Sequence, residues 1–188
     1  MVGLKEEIEF FFFFLGGGIV FSFSHFQFAL ALVYFFEYVV SVGLAQIANV
    51  HESDSVQNRD YVVLALCYQA GVFISRSSIS LVQFDQIGMA CLTSLQGINF
   101  VLWHFHCEYN WFPQWLQFVW MIYVGLLGGA MYVNVVYSIL SDTKITKKDK
   151  ELCMNIMSIW VNFGIIMSSA YEIVIDNTFF AHLVQSSS

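Results

Sequence analysis

Residues 115–140 read WLQFVWMIYVGLLGGAMYVNVVYSIL, twenty-six positions without a charged side chain. A helix needs about 20 mostly apolar residues to cross the hydrocarbon core of a bilayer, and this stretch exceeds that length. Four more stretches read the same way. They are 26–48 with one charge, Glu37; 61–80 with one charge, Arg76; 87–107 with none; and 152–175 with Glu172 near its end. All are too long and too apolar for strands of a membrane barrel, which alternate polar and apolar residues. In hydrocarbon the backbone must satisfy its own hydrogen bonds, so these stretches are expected to be helical. The predicted fold class is all-α: a polytopic membrane helix bundle of about five transmembrane helices over residues 26–188.

Composition points the same way. The 188 residues are 58% hydrophobic and 11% charged, with 20 Phe and a single Pro. A soluble domain carries roughly a quarter charged residues; this chain has too few to cover a water-facing surface. Disorder is excluded by the same numbers. The net charge of −7 argues against nucleic acid as a partner and leaves the lipid bilayer as the expected one. Residues 1–25 form a Phe/Gly-rich lead-in, with IEFFFFFLGGGIVFSFSH over 8–25. It is expected to lie at the interface or to join the first span.

The basic residues set an orientation. With five spans, Lys5, Arg76, Lys144, Lys147, Lys148 and Lys150 fall on the side of the N-terminus, and Arg59 falls on the other. Lys and Arg concentrate on the cytosolic side, so the N-terminus is predicted cytosolic and the C-terminus lumenal. The far side carries Glu52, Asp54, Asp60 and Glu108. Trp103, Trp111, Trp115 and Trp120 are expected to form an interfacial aromatic belt there. His104, His106, Cys107 and Glu108 suggest a metal site, but histidines two apart diverge on a helix, and no metal or other cofactor is expected. The four cysteines show no paired spacing and read as small apolar packers.

Polar groups inside the spans are the functional candidates. An ionisable side chain at the bilayer centre costs roughly 2.5–3.5 kcal/mol on insertion scales. Glu37 is the middle residue of its span and shares a face with Tyr34, Tyr38 and Ser41, and more loosely Gln27. Such a stripe faces either protein, through a structural hydrogen bond, or a wet cavity, where the carboxyl is a candidate proton carrier. The second span carries Tyr61, Tyr68 and Ser75 at seven-residue spacing, with Gln69 and Arg76 beside them. Arg76 either snorkels to the interface or turns inward to hold an anionic group. Gly125 and Gly129 form a GxxxG pair, and Gly71, Gly125, Gly128 and Gly129 are assigned to helix packing. Asn134, beyond them, reaches either a cavity or a neighbouring backbone. The predicted solute or proton pathway is Glu37, Tyr34, Tyr68, Gln69, Ser75, Arg76 and Asn134, with Glu37 and Arg76 lining an enclosed, wet hollow. No hydrolytic triad, phosphate loop or dinucleotide fingerprint occurs in the sequence, so an enzyme is not expected.

Three motifs carry a resemblance. Tyr68-Gln69-Ala70-Gly71-Val72-Phe73-Ile74-Ser75-Arg76-Ser77-Ser78 resembles the battenin family of lysosomal membrane proteins linked to juvenile neuronal ceroid lipofuscinosis. So do Gly125-Leu126-Leu127-Gly128-Gly129-Ala130-Met131-Tyr132-Val133-Asn134 and Val33-Tyr34-Phe35-Phe36-Glu37-Tyr38, followed by Gly43-Leu44. The similarity runs from about Phe28 almost to the C-terminus and corresponds to the C-terminal half of a family member. It implies a bundle related to major-facilitator transporters and residence in the lysosomal or vacuolar membrane. It also implies a part in lysosomal pH homeostasis and in basic amino acid (arginine) or glycerophosphodiester handling. By position it carries over Glu37, Tyr68, Gln69, Ser75, Arg76 and Asn134. The N-terminal bundle of the family is absent, and the Phe run 10–14 departs from its pattern. The expected partners are therefore a small-molecule solute and a missing N-terminal bundle or a second copy of the chain. The alternative is a non-transporting scaffold or truncated copy that supports lysosomal trafficking through partners.

Overall fold

The computed structural model describes residues 18–49, 53–80, 82–143 and 146–181. Residues 1–17, with Lys5, the Phe run, Gly16 and Gly17, lie outside them, as do Glu52 and Lys144. Helix α1 is Gly18–Tyr38 and continues through a π-helical turn, Val39–Leu44, and a last α turn, Ala45–Ile47; the label covers all three below. The others are α2, Asp54–Ser77; α3, Gln86–Tyr109; α4, Gln114–Ser141; and α5, Lys147–Asn177. There is no strand among the described residues. The protein is an all-α membrane bundle. By length and composition, His25–Ile47, Gln114–Ser141 and Lys147–Asn177 can each cross a membrane. Helices α2 and α3 have 24 residues each, and so also have the length at about 1.5 Å per residue.

The helices start and stop where local chemistry directs. Asp85 accepts the Gly88 amide at 2.8 Å and caps α3. Asn110 ends α3 with φ 46°, the left-handed conformation that Asn tolerates better than most residues. Pro113 precedes α4, where a missing amide hydrogen leaves no bond unmade. Thr146 caps α5 by accepting from Asp149. Residues 18–25 extend the first helix, because no breaker interrupts Gly18–Tyr38. Similarly, α2 begins at Asp54, before the apolar stretch, since hydropathy marks the hydrocarbon zone and not the helix.

Helix α1 lies at the centre, against α5, α3 and α4, while α2 lies along α4. Two apolar clusters fill the interior. One joins Leu30, Val33, Met131, Val135 and Met157; the other joins Val40, Leu44, Leu64, Trp103 and Met121. Trp103 is therefore not in the expected aromatic belt. It is fully buried, because its side of α3 also carries Gln96, Asn99 and His106, which face inward. Trp111 and Trp115 are exposed. Outward-facing residues such as Leu66, Phe73, Ile98, Phe105, Ile159 and Phe163 are exposed and apolar, as a lipid-facing surface requires.

Candidate functional site

Glu37 is 1% exposed, on the last turn of α1 before the π-helical turn. Its carboxyl lies directly on the backbone of α4 at Gly128, where a Cβ would collide with both oxygens. Tyr68 of α2 is its hydrogen-bond partner. Arg76 lies on the exposed side of the same assembly. Its Nη2 donates to the Tyr34 hydroxyl at 3.1 Å, and its guanidinium sits 4.5 Å above the Tyr132 ring. Tyr34 also stacks on Tyr38, at 6.0 Å between ring centroids. An acid, a guanidinium and four tyrosines thus meet where α1, α2 and α4 come together.

The helices can meet this closely because of glycine. A Cβ on Gly71 would collide with the Ile122 carbonyl of α4, and one on Gly125 with the Tyr68 carbonyl of α2. A Cβ on Gly129 would meet Ser75 Oγ and come within 3.0 Å of the Val72 carbonyl. Backbone-to-backbone approach of this kind is what small residues allow in membranes.

The predicted pathway residues divide. Glu37, Tyr34, Tyr68 and Arg76 come together. Gln69 is exposed on α2, about two turns from Arg76. Ser75 is buried and donates to the Val72 carbonyl at 3.0 Å. Asn134 is engaged at both ends, donating to the Ala130 carbonyl at 2.8 Å and accepting from the Phe84 amide at 2.7 Å. It anchors the α2–α3 connection to α4. Among the described residues, the Glu37 carboxyl meets the backbone of α4 at Gly128 where a hollow was expected. Clefts of about 350, 360 and 390 Å³ lie elsewhere, lined by residues such as Phe100 and Tyr171, Asn49 and Gln117, and Met89 and Ser138. Gly128 explains this, because with no side chain there α4 packs straight onto the carboxyl. Arg76 opens instead onto the outer face of the described bundle.

The histidine cluster is resolved into separate contacts. His104 Nδ1 bonds to the Phe100 carbonyl at 2.8 Å and Nε2 to the Tyr171 hydroxyl at 3.1 Å. With the carbonyl accepting, Nδ1 carries the proton. His106 turns the other way and accepts the Phe112 amide at 3.3 Å. No group of three His, Cys, Asp or Glu able to hold a metal occurs among the described residues.

The model of the family described as CLN3 protein matches residues 19–182. The chain belongs to the CLN3 family. A battenin of Dictyostelium discoideum is 44% identical over 157 residues, 81% of this chain and 37% of that protein. Protein BTN1 of Eremothecium gossypii is 31% identical over 170 residues, covering 84% and 39%. A battenin of Canis lupus familiaris is 31% identical over 157 residues, covering 82% and 34%. The chain thus spans well under half the length of these curated CLN3-family relatives. No solved structure matches it.

Three features of this CLN3-family chain escaped the sequence reading. Tyr132 carries the guanidinium contact, and an aromatic three residues past Gly129 gave a weak signal for it. The π-helical turn directly after Glu37 gave none. A third is the polar end formed by Asn49, Asp60, Gln114 and Gln117. Asp60 is 1% exposed and accepts from Arg59 at 2.9 Å and from Gln114. Asn49 and Gln117 pair through their amides at 3.3 and 3.4 Å. This network ties the starts of α2 and α4 to the end of α1. Asp60→Ala removes two acceptors but leaves Arg59 in water, so it is expected to cost about 1–2 kcal/mol. The check is the unfolding temperature in detergent, which should fall by a few degrees.

Proposed function

We propose that the chain is part of a solute transporter of the lysosomal or vacuolar membrane. It would act in lysosomal pH homeostasis and in basic amino acid or glycerophosphodiester handling. In this reading α2 and α3 cross the membrane as well, the bundle corresponds to one half of a major-facilitator-type transporter, and the N-terminus is cytosolic. The observation that carries it is the juxtaposition of a buried acid with an exposed guanidinium held over tyrosines. An Arg preset by a hydroxyl and a ring offers its remaining N–H groups to a carboxylate or phosphate. A carboxyl behind it, bonded to Tyr68, is placed to exchange a proton as the anion arrives or leaves.

The test is flux of radiolabelled arginine and of glycerophosphocholine through vesicles holding the full-length protein. Glu37→Gln and Arg76→Ala should each slow flux of the transported solute about tenfold or more, with folding intact, a loss of about 1.4 kcal/mol in the transport barrier. Unchanged flux in both variants overturns the assignment.

One observation favours a second reading. Glu37 is sealed against Gly128 and Tyr68, which suits a purely structural bond between helices. A folded full-length protein that carries neither solute, yet crosslinks into a stable heteromer, would support a scaffold that acts through partners.

A further inference from the structure

Helix α5 divides its surface into three sectors. The helix turns about 100° per residue. One stripe is buried in the bundle: Cys153, Met157, Gly164, Ser168 and Ile175. A second is exposed and apolar: Ile159, Phe163, Ile166, Met167, Ile173 and Val174. The third is polar: Asn155, Ser158, Asn162 and Ser169 are exposed, and Glu172 and Asp176 are half-buried. These six positions follow steps of three, four and seven, the pattern of a single helix face. On an α-helix the three sectors point about 120° apart.

The apolar sector has the composition of a lipid-facing surface. The polar sector cannot share that environment. Asn155, Asn162 and Ser169 make no side-chain hydrogen bond to any described residue. An unpaired amide in hydrocarbon costs several kcal/mol. Water costs it nothing.

The sector also has a definite place in the bundle. Tyr171, which meets Phe35, Phe100 and His104, marks the side of α5 toward α3. The polar sector lies on the opposite flank. Helix α1 turns Phe36 toward Gly97 of α3, and Tyr34 toward Arg76 and Tyr132. The polar flank of α5 and the Arg76 face of α1, α2 and α4 therefore both look away from α3. Glu172 reaches α1 as well, with its side chain seated on Gly43 in the π-helical turn.

We propose that Asn155, Ser158, Asn162, Ser169, Glu172 and Asp176 form one wall of the water-filled solute path, opposite a part of the longer relatives that lies outside the matched region. The inference rests on the transport reading and extends its site from α2 to α5. Asn162, at the middle of α5, is the residue assigned to meet solute.

The experiment places single cysteines in the full-length protein in its membrane, after Cys67, Cys91, Cys107, Cys153 and any others are replaced. A membrane-impermeant thiosulfonate reagent reacts with the thiolate, which forms in water and not in lipid. Asn162→Cys and Ser169→Cys should label about tenfold faster, or more, than Phe163→Cys and Ile166→Cys. Equal rates in the two sets overturn the proposal. So does an oxidant-driven disulfide between two copies at Asn162→Cys with no labelling, which marks a dry interface. A second variant guards against misfolding of the cysteine-free protein. Asn162→Leu, in the natural background in lipid discs, should leave the unfolding temperature level or lower; a rise places the sector in lipid and overturns the proposal. Labelling without flux supports the wet wall and overturns the transport reading. Flux with no labelling does the reverse.

Discussion

Gly125→Leu is expected to leave no folded bundle. A Cβ at Gly125 would lie well inside contact distance of the Tyr68 carbonyl oxygen, and 3.0 Å from the Val72 nitrogen. Both are backbone atoms of α2, so no side chain can swing aside. The two helices must separate, and the paired approach of Gly71 to the Ile122 carbonyl is lost with them. Overpacking of a closed interface costs typically 1–3 kcal/mol and occasionally more; for the longer Leu side chain against backbone, the expectation is about 3 kcal/mol or above. Because marginal proteins hold about 5–15 kcal/mol in total, the outcome should be visible as aggregation in detergent extracts. Gly97→Ala is the control. There a Cβ would meet only the Phe36 ring, at 3.5 Å, an ordinary contact. Its unfolding temperature should stay within a degree or two of the parent. A folded Gly125→Leu protein with an unchanged unfolding temperature would refute this account of the α2–α4 seam.

The second large effect is a coupling. Gly128→Ala drives a methyl group into the Glu37 carboxyl, which is buried. We expect about 2–3 kcal/mol of destabilisation. If the carboxyl is what the methyl meets, shortening Glu37 relieves the clash. The double variant Gly128→Ala, Glu37→Ala should then be more stable than the sum of the two single changes predicts, by about 1–2 kcal/mol. Strict additivity in a thermal-unfolding cycle would show that Gly128 is needed for some other neighbour. Gly43 offers a contrast. A Cβ there meets Glu172 Cγ at 2.6 Å, but that side chain is half-buried and can move. Gly43→Ala should cost markedly less than Gly128→Ala.

What the sequence disclosed follows from the kind of constraint at each place. The helices were legible because hydrocarbon imposes length and apolarity on each segment separately. Their ends were less so: the first turns of α2, with Arg59 and Asp60, lie outside the apolar zone and leave no mark in hydropathy. Glu37 and Arg76 stood out because charge within a span is rare. Their neighbours did not, because contact between Glu37 and Gly128 joins residues 91 positions apart, and nothing local records it. Ser75 and Asn134 looked like cavity residues since they are polar in apolar surroundings; each is absorbed by backbone groups nearby, a use that composition does not separate from solute contact. Trp103 shows the same limit, as an indole in the core and one at an interface read alike. The polar flank of α5 was written in the spacing of Asn155, Asn162, Ser169 and Asp176, but spacing becomes meaningful only once the buried stripe of that helix is known.

The turn Val39–Leu44 gives the central helix a rotary slack. A π turn closes its hydrogen bonds one residue later than an α turn does, so it holds a surplus residue within a continuous rod. Drawing that surplus into α geometry twists everything above it by about 100° relative to everything below. Glu37 sits at the upper lip of this joint, and Gly43, bearing Glu172, sits in its lower part. A single-residue change of winding at this joint would turn the Glu37 side of α1 against the Gly43 side by that angle, about one residue's worth of helix rotation.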